Sequence, residues 1–168
     1  DGEYFISVGT LEPRKNLKRV IEAFAGVRNQ ESGVRNLVVV GKSGWGESLQ
    51  KPDNVNFLGL TPDEDLPGLY AGSSGLIYPS LYEGFGLPVL EAMTVGCPVL
   101  TSDRGSLGEV AGKAAILVDP ENIESIVWGI ESLIKDREKL IAKGLKRSEN
   151  FSWEKTAAET LSIYKSLC

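Results

Sequence analysis

Short apolar runs alternate with segments of helical periodicity over the first 118 residues of the chain. Six runs of three to five residues, at 4–8, 37–40, 55–58, 76–78, 98–101 and 115–118, contain no charged residue. Such runs are typical of strands in a parallel sheet that is covered on both faces. Between the first two runs, one helix face carries Leu17, Val20, Ile21, Phe24 and Val27. The alternation therefore predicts a doubly wound, Rossmann-like α/β fold with a six-stranded parallel sheet and helices on both faces.

Only helical patterns follow Pro120, which predicts a C-terminal helical segment. Apolar residues at helical spacing predict one helix from about Ile123 and a second around Leu140. Ser152 is placed to cap a last helix. Earlier in the chain, Pro62 and the three acids after it predict another helix start. No linker or repeat divides the sequence, so residues 1–168 are predicted to form one domain.

Composition narrows the class of protein. The 168 residues are 42% hydrophobic and carry 18 basic and 23 acidic side chains, a net charge of −5, which indicates a soluble globular domain and no nucleic-acid partner. No apolar run approaches the roughly 20 residues of a membrane span. Cys97 and Cys168 are too few for a disulfide framework, so a cytoplasmic location is expected. The absence of histidine excludes Ser-His-Asp hydrolases and most zinc enzymes.

The most informative loop is 82–88, which follows the fourth predicted strand. In open parallel sheets, ligands bind at the carboxyl ends of the strands. Gly84 and Gly86 allow a close approach to a ligand, and Pro88 opens a helix whose positive end faces the same place. Glu83 and Glu91 form a Glu-x7-Glu pair that could accept hydrogen bonds from the hydroxyls of one ligand, with an anion held between them. The alternative is a glycine loop with two solvated glutamates, because this spacing also recurs by accident.

Cations for such an anion must come from elsewhere in the chain. Residues 61–100 contain five acids and no lysine or arginine, whereas Arg14 and Lys15 follow the first predicted strand. The first and fourth strands are neighbours in the doubly wound order, so these cations and the loop N–H groups are expected to converge on a diphosphate. The alternative is a solvated pair at a helix start, a position that the helix dipole disfavours for cations unless an anion is present.

Three other motifs do not support a site. Gly41-Lys42-Ser43 matches the end of a P-loop, but Asn36 occupies the position of the required upstream glycine. The glycines at 41, 44 and 46 lack the spacing of a dinucleotide fingerprint. Asp63-Glu64-Asp65 matches the D-x-D of metal-dependent sugar transferases, yet acids at a helix start are explained by the dipole. No metal site is therefore predicted.

Three segments together resemble a known family. They are 8–16 (VGTLEPRKN), 83–92 (EGFGLPVLEA) and 151–154 (FSWE), and they occur in the family's order over nearly the whole chain. The chain resembles the C-terminal, donor-binding half of the retaining GT-B glycosyltransferases of family 4. The resemblance implies a domain that binds a nucleotide-diphospho-sugar, with no metal or other cofactor.

The resemblance also implies roles for individual residues. Lys15 matches the lysine that neutralises the donor diphosphate. Thr10 occupies the position of the family's partner arginine, for which Arg14 is the expected substitute. Glu83 is placed near the transferred sugar and Glu91 at the ribose hydroxyls, which makes Glu83, Lys15 and Arg14 the predicted catalytic residues. The remaining predicted donor contacts are Gly9, Thr10, Leu60, Thr61, Gly84, Phe85, Gly86 and Leu87, with the base against Leu60-Thr61.

The implied activity is transfer of a hexose, with retention, to a glycan or lipid-linked acceptor. The acceptor would be bound by an N-terminal domain absent from this chain, which alone should bind donor weakly and transfer nothing. The full-length enzyme would act in the cytoplasm or at the inner face of the membrane, and the motif variant at 12–16 is associated with GDP-mannose. An unpartnered final helix would expose Trp153, Leu161 and Tyr164. Alternatives are a stand-alone sugar-nucleotide binding or regulatory module, a relative of nucleotide-sugar 2-epimerases, and a purely structural domain.

Overall fold

The computed structural model describes residues 3–27, 33–34, 36–45, 49 and 51–167, so Gly46 and Cys168 lie outside the described residues. The sheet contains β1 (Tyr4–Val8), β2 (Asn36–Val40), β3 (Val55–Gly59), β4 (Gly75–Tyr78), β5 (Val99–Ser102) and β6 (Ile116–Val118). All neighbouring strands pair in parallel, in the order β3-β2-β1-β4-β5-β6. The six predicted strands and the doubly wound fold are confirmed, with shifts of one residue at some strand ends.

Seven α-helices lie within the described residues, and the first six pack around the sheet on its two faces. The seven helices are α1 (Leu17–Gly26), α2 (Leu66–Ala71), α3 (Leu87–Thr94), α4 (Leu107–Ala111), α5 (Ile123–Lys135), α6 (Arg137–Ser148) and α7 (Trp153–Ser166). Since side chains alternate along a strand, Phe5 packs with α1 and α5 in one core cluster, while Ile6 packs with α2, α3 and α4 in the other. Both faces of the central strands are therefore buried, which explains their uninterrupted apolar sequences.

The central position of β1 and β4 creates the crevice of the fold. The chain leaves β1 toward α1 on one face and leaves β4 toward α3 on the opposite face. The two loops therefore diverge at the carboxyl ends of adjacent strands, which is where ligands bind in doubly wound sheets.

The helix starts separate into confirmed and corrected predictions. Ser152 caps α7, because its Oγ accepts a hydrogen bond from the backbone N–H of Lys155 at 3.1 Å. The prediction of a helix start at Pro62 is wrong: residues 62–65 form a turn, with the Asp65 N–H bonded to the Pro62 carbonyl at 3.0 Å. The helix α2 begins four residues later, because Pro67 is available for its first turn.

The last helix has no buried residue. As expected from the sequence, Trp153, Leu161 and Tyr164 are exposed, with 75%, 52% and 64% of their surface accessible. The same helix also exposes Ile163. The helix α7 therefore contributes little to the core that shapes the crevice.

Close packing of α5 against the sheet depends on a glycine in β4. A Cβ on Gly75 would lie 2.3 Å from Leu133 Cδ2 and 3.2 Å from the Pro98 carbonyl oxygen. We expect Gly75→Ala to lower the free energy of unfolding by about 1–3 kcal/mol, because the core must shift to accept the methyl group. Urea unfolding followed by circular dichroism measures this change.

The matched control is Gly68→Ala in α2, where a Cβ would meet no atom within 4 Å. This substitution should leave stability unchanged or raise it by up to about 1 kcal/mol, because alanine favours helix. Equal effects of the two substitutions would contradict the packing described here.

Candidate functional site

The loop after β1 carries two cations on a short 3₁₀ turn. The turn spans Pro13–Lys15 and has no acidic residue in its first turn. The Lys15 side chain lies back over Gly9, where a Cβ would be 3.0 Å from Lys15 Cε. Gly9 also has a φ of 140°, which L side chains rarely adopt. A glycine at the end of β1 thus allows the Lys15 side chain to follow this path.

Asn16 connects this turn to other loops at the carboxyl ends of the strands. Its φ of 60° lies in the left-handed region, which asparagine tolerates better than most residues. The side chain is buried, and Nδ2 donates to the carbonyls of Pro79 at 3.1 Å and Pro120 at 2.6 Å. In addition, the Leu81 N–H donates to the Arg14 carbonyl at 2.8 Å. The β1 loop is therefore held directly against the loop that follows β4.

Glu83 receives hydrogen bonds from three side chains. Lys15 Nζ lies 2.6 Å from Oε1, Arg14 Nη1 lies 2.6 Å from Oε2, and the Tyr78 hydroxyl donates to Oε1 at 2.8 Å. Only 7% of Glu83 is exposed. Arg14 is also paired with Glu12, at 2.5 Å. The alternatives of a solvated glutamate and a solvated cation pair are thus wrong for Glu83 and Lys15.

The electrostatic environment favours the charged forms of this cluster. Burial acts to raise the pKa of Glu83, but the hydrogen bonds from Lys15 and Tyr78 outweigh it and lower the pKa below its ordinary value of 4.5. Burial acts to lower the pKa of Arg14, but Glu83 outweighs it and raises that pKa. Burial, followed by the charge of Glu83, raises the pKa of Tyr78, which keeps its hydroxyl protonated. The cluster therefore consists of two cations, an ionised carboxylate and a neutral phenol.

The glycine loop after Glu83 rests on the segment after β5. The Ser106 hydroxyl contacts the carbonyls of Phe85 at 2.7 Å and Glu83 at 3.2 Å. A Cβ on Gly105 would lie 2.7 Å from the Glu83 carbonyl oxygen, so this approach needs a glycine. Gly84 is exposed, with nothing within 4 Å of an added Cβ. Gly105 and Ser106 thus support the backbone of this loop, while the backbone at Gly84 is exposed.

The start of α3 completes this part of the site. Gly86 precedes the helix with a φ of 102°, and Leu87 and Pro88 form its first turn. Leu87 is exposed and Gly86 is buried. The positive end of α3 and the open backbone at Gly84 thus lie on the same loop as the Glu83 carboxylate.

Four other predicted donor residues make no described contact with Glu83. Glu91 is exposed on α3, where it accepts a hydrogen bond from the buried Tyr70 hydroxyl at 3.0 Å. Leu60 and Thr61 follow β3 at the edge of the sheet, and 80% of Leu60 is exposed. Thr10 is partly buried beside Gly9. Among the described contacts, none joins these four residues to Glu83.

Sequence reasoning missed three residues that build the cluster. Tyr78 ends an apolar strand and was part of its core pattern, although a tyrosine at the carboxyl end of a central strand is a usable signal. Asn16 is the last residue of the motif at 8–16, and the sequence alone assigns it no role. Ser106 comes from a loop without any motif, and only the fold brings it to Glu83.

Two features that the described residues lack are a metal-ligand group and a membrane-spanning helix. No group of three or more Asp, Glu or Cys side chains there is placed to hold a metal ion. Within the same part of the chain, each helix is too short or too polar to cross a membrane.

The fold and the crevice together define a class. A parallel sheet in the order 3-2-1-4-5-6, with charged and glycine-rich loops at its switch point, is a domain of the doubly wound α/β type, a fold in which ligands bind at that crevice. The particular family follows from the sequence: residues 1–147 match the model of the glycosyl transferases group 1. The chain belongs to this family.

Individual relatives agree with this membership. O-antigen chain mannosyltransferase B of Escherichia coli is 38% identical over 175 residues, covering 98% of this chain and 46% of that protein. Sucrose-phosphate synthase from Thermosynechococcus elongatus has a similar structure, with a TM-score of 0.84 and 26% identity over 99% of this chain and 46% of its own. Anabaena HepE in complex with UDP-glucose has a TM-score of 0.80 and 24% identity, over 97% of this chain and 49% of its own. The chain thus spans about half the length of the relatives it matches.

The lowered pKa of Glu83 predicts a pH-dependent contribution to stability. We expect Glu83→Gln to lower the free energy of unfolding by about 1–3 kcal/mol at pH 7, because charged hydrogen bonds are lost. Since the folded pKa lies below 4.5, this contribution is present above that pH and disappears as the pH falls through the folded pKa. Urea unfolding of both proteins at several pH values measures the difference.

Glu64→Gln, in the exposed turn before α2, is the matched control and should change stability by less than about 0.5 kcal/mol. A difference between wild type and Glu83→Gln that stays constant down to about pH 3 would argue against the ionised cluster.

Proposed function

We propose that the chain is the C-terminal, donor-binding domain of a retaining hexosyltransferase of the family 4, GT-B type. It binds a nucleotide-diphospho-sugar for transfer of the hexose to a glycan or lipid-linked acceptor. The observation that carries the proposal is the meeting of Arg14 and Lys15, from the β1 loop, with Glu83 of the β4 loop at 2.6 Å. Membership of the group 1 glycosyl transferases supports the same reaction class.

Hydrogen-bond donors for a diphosphate are available where the loops after β1 and β4 meet. An ammonium has three N–H donors, and the contacts of Lys15 with Tyr78 and Glu83 use two of them. The Arg14 side chain is 44% exposed, and its planar guanidinium suits phosphate oxygens. Backbone N–H groups at 84–87 and the positive end of α3 supply further uncharged donors. One diphosphate at the switch point would meet all three kinds of donor.

The charges that develop in the reaction assign different roles to the cations and to the Glu83 carboxylate. Breaking the anomeric C–O bond develops negative charge on the leaving diphosphate and positive charge on the sugar ring. Arg14, Lys15 and the start of α3 stabilise the first, and no metal is required for this role. Glu83 is an ionised carboxylate in contact with both cations, so it is placed to orient hydroxyls of the sugar beside the leaving group.

The nucleoside is assigned to the α2–α3 side of the crevice. Glu91 is exposed, and its bond to Tyr70 holds it in place while leaving acceptor capacity for ribose hydroxyls. Leu60 and Thr61, after β3, form the expected surface for the base. The relative named as a mannosyltransferase supports mannose as the sugar. GDP-mannose is the donor proposed from the motif variant at 12–16.

Removal of the Lys15 ammonium tests the diphosphate role. We expect Lys15→Ala to weaken binding of GDP by about 1.5–3 kcal/mol, the range for a charged hydrogen bond, with little effect on guanosine. Calorimetric titration with GDP, UDP and the two nucleosides, each with and without EDTA, measures the loss and names the base. The affinity for the diphosphate should not change with EDTA.

Lys113→Ala is the matched control. Lys113 is an exposed lysine between α4 and β6, and β6 is an edge strand, whereas Lys15 follows the central strand β1. Equal weakening of GDP and guanosine by Lys15→Ala would count against the phosphate role. Loss of affinity with EDTA would show that a metal is required.

The acceptor is assigned to a part of the protein outside this chain. The chain spans 46% of its mannosyltransferase relative, and the described strands form one six-stranded sheet. We therefore expect the 168 residues to bind GDP-mannose but to transfer no mannose. Incubation with radiolabelled GDP-mannose and a mannose-terminated glycan, followed by chromatography, measures transfer. Turnover by the chain alone would overturn this assignment.

A further inference from the structure

Tyr78 is the last residue of β4, and its hydroxyl lies between two charged groups. Lys15 Nζ donates to the hydroxyl at 2.6 Å, and the hydroxyl donates to Glu83 Oε1 at 2.8 Å. Lys15 Nζ also lies 2.6 Å from the same carboxylate oxygen. The three atoms therefore form a closed triangle of hydrogen bonds.

Packing does not explain this hydroxyl. Tyr78 is 2% exposed and follows Leu76 and Ile77, which are fully buried. A phenylalanine would keep the ring in the core, and Lys15 Nζ would still lie over the ring, 4.9 Å from its centroid. A buried hydroxyl lowers stability unless it is hydrogen-bonded, and both of these bonds are made to groups of the proposed site. The hydroxyl therefore serves the cluster.

We propose that Tyr78 is a positioning residue of the donor site, whose hydroxyl holds the Lys15 ammonium where it meets the donor diphosphate. This inference rests on the proposed function. Lysine has a flexible side chain, and fixing it in place costs conformational entropy at the moment of binding. A hydroxyl that accepts from Nζ before the ligand arrives reduces that cost.

The Tyr78 hydroxyl and the Glu83 carboxylate respond differently to a bound diphosphate. A diphosphate competes with the Glu83 carboxylate for Lys15, because both are anions. Tyr78 is neutral, and burial raises its pKa, so its oxygen accepts from Nζ whether or not Glu83 is engaged elsewhere. Glu83 can then turn to the hydroxyls of the sugar while the ammonium stays in place.

The test is Tyr78→Phe in the 168-residue chain, with GDP and UDP as probes. We expect binding of the diphosphate that wild type prefers to weaken about tenfold, with the nucleoside unaffected. Without ligand, the Glu83 carboxyl, followed by NMR, should titrate at a higher pH than in wild type, because a hydrogen bond to the ionised form is lost. Arg14, Lys15, Glu12 and the Ser80 hydroxyl are the other groups around this titration.

Tyr4→Phe is the matched control. The Tyr4 hydroxyl donates to the Leu69 carbonyl at 2.8 Å and lies at the amino end of β1, away from the site. It should lose stability without any loss of GDP affinity. In the Lys15→Ala background, Tyr78→Phe should cause no further loss of affinity, because its effect acts through Lys15.

The outcomes separate the inference from the proposed function. Equal affinity of wild type and Tyr78→Phe, or an unchanged Glu83 titration, overturns the positioning role and leaves the function standing. Failure of wild type to bind either diphosphate overturns both. If Tyr78→Phe does not fold, wild type alone decides: a slowly exchanging Tyr78 hydroxyl resonance both with and without nucleotide supports the role, and one that is lost when nucleotide binds overturns it.

Discussion

The structure depends on one buried carboxylate that must be paired. Glu83 lies at the carboxyl edge with little exposure, where an unpartnered charge would strongly destabilise the fold. Arg14 and Lys15 supply the pairing from the loop after β1, and they precede Glu83 by 69 and 68 residues along the chain. This pairing therefore joins the two loops that diverge at the switch point, and the geometry of the crevice follows from it.

The surrounding residues are understood as support for that contact. Gly9 leaves room for the Lys15 side chain, and Asn16 fixes the turn that carries both cations. On the other side, Gly105 and Ser106 hold the backbone of Glu83. These positions follow the ends of three different strands, so the sheet sets where they lie relative to one another. A preorganised arrangement of this kind loses little entropy when a ligand binds.

The sequence predicts the fold and the two halves of the site, and misses the residues between them. Strands were predictable because both sheet faces are buried, and the meeting of residues 14–15 with 83 follows from the order of strands. Ser106 was not predictable, since only tertiary contact brings a motif-free serine to Glu83. For Tyr78 the sequence offers only its place at the end of a central strand, and its partners follow from tertiary contact. The start of α2 was misplaced because two prolines, Pro62 and Pro67, both suit a first helical turn. The catalytic and donor-binding roles assigned from the resemblance, including that of Glu91, stay predictions.

Charge balance limits how this site can recognise an anion. Arg14 and Lys15 are matched by Glu12 and Glu83, so the four side chains together carry no net charge. Under the proposed function, a diphosphate is therefore attracted by local hydrogen-bond donors, and not by an excess of positive potential. Its oxygens must replace Glu12 at Arg14 or use the donors that the carboxylates leave open, together with the N–H groups before α3. Recognition then depends on the direction of each donor, which is the property that Tyr78, Asn16 and Gly9 control.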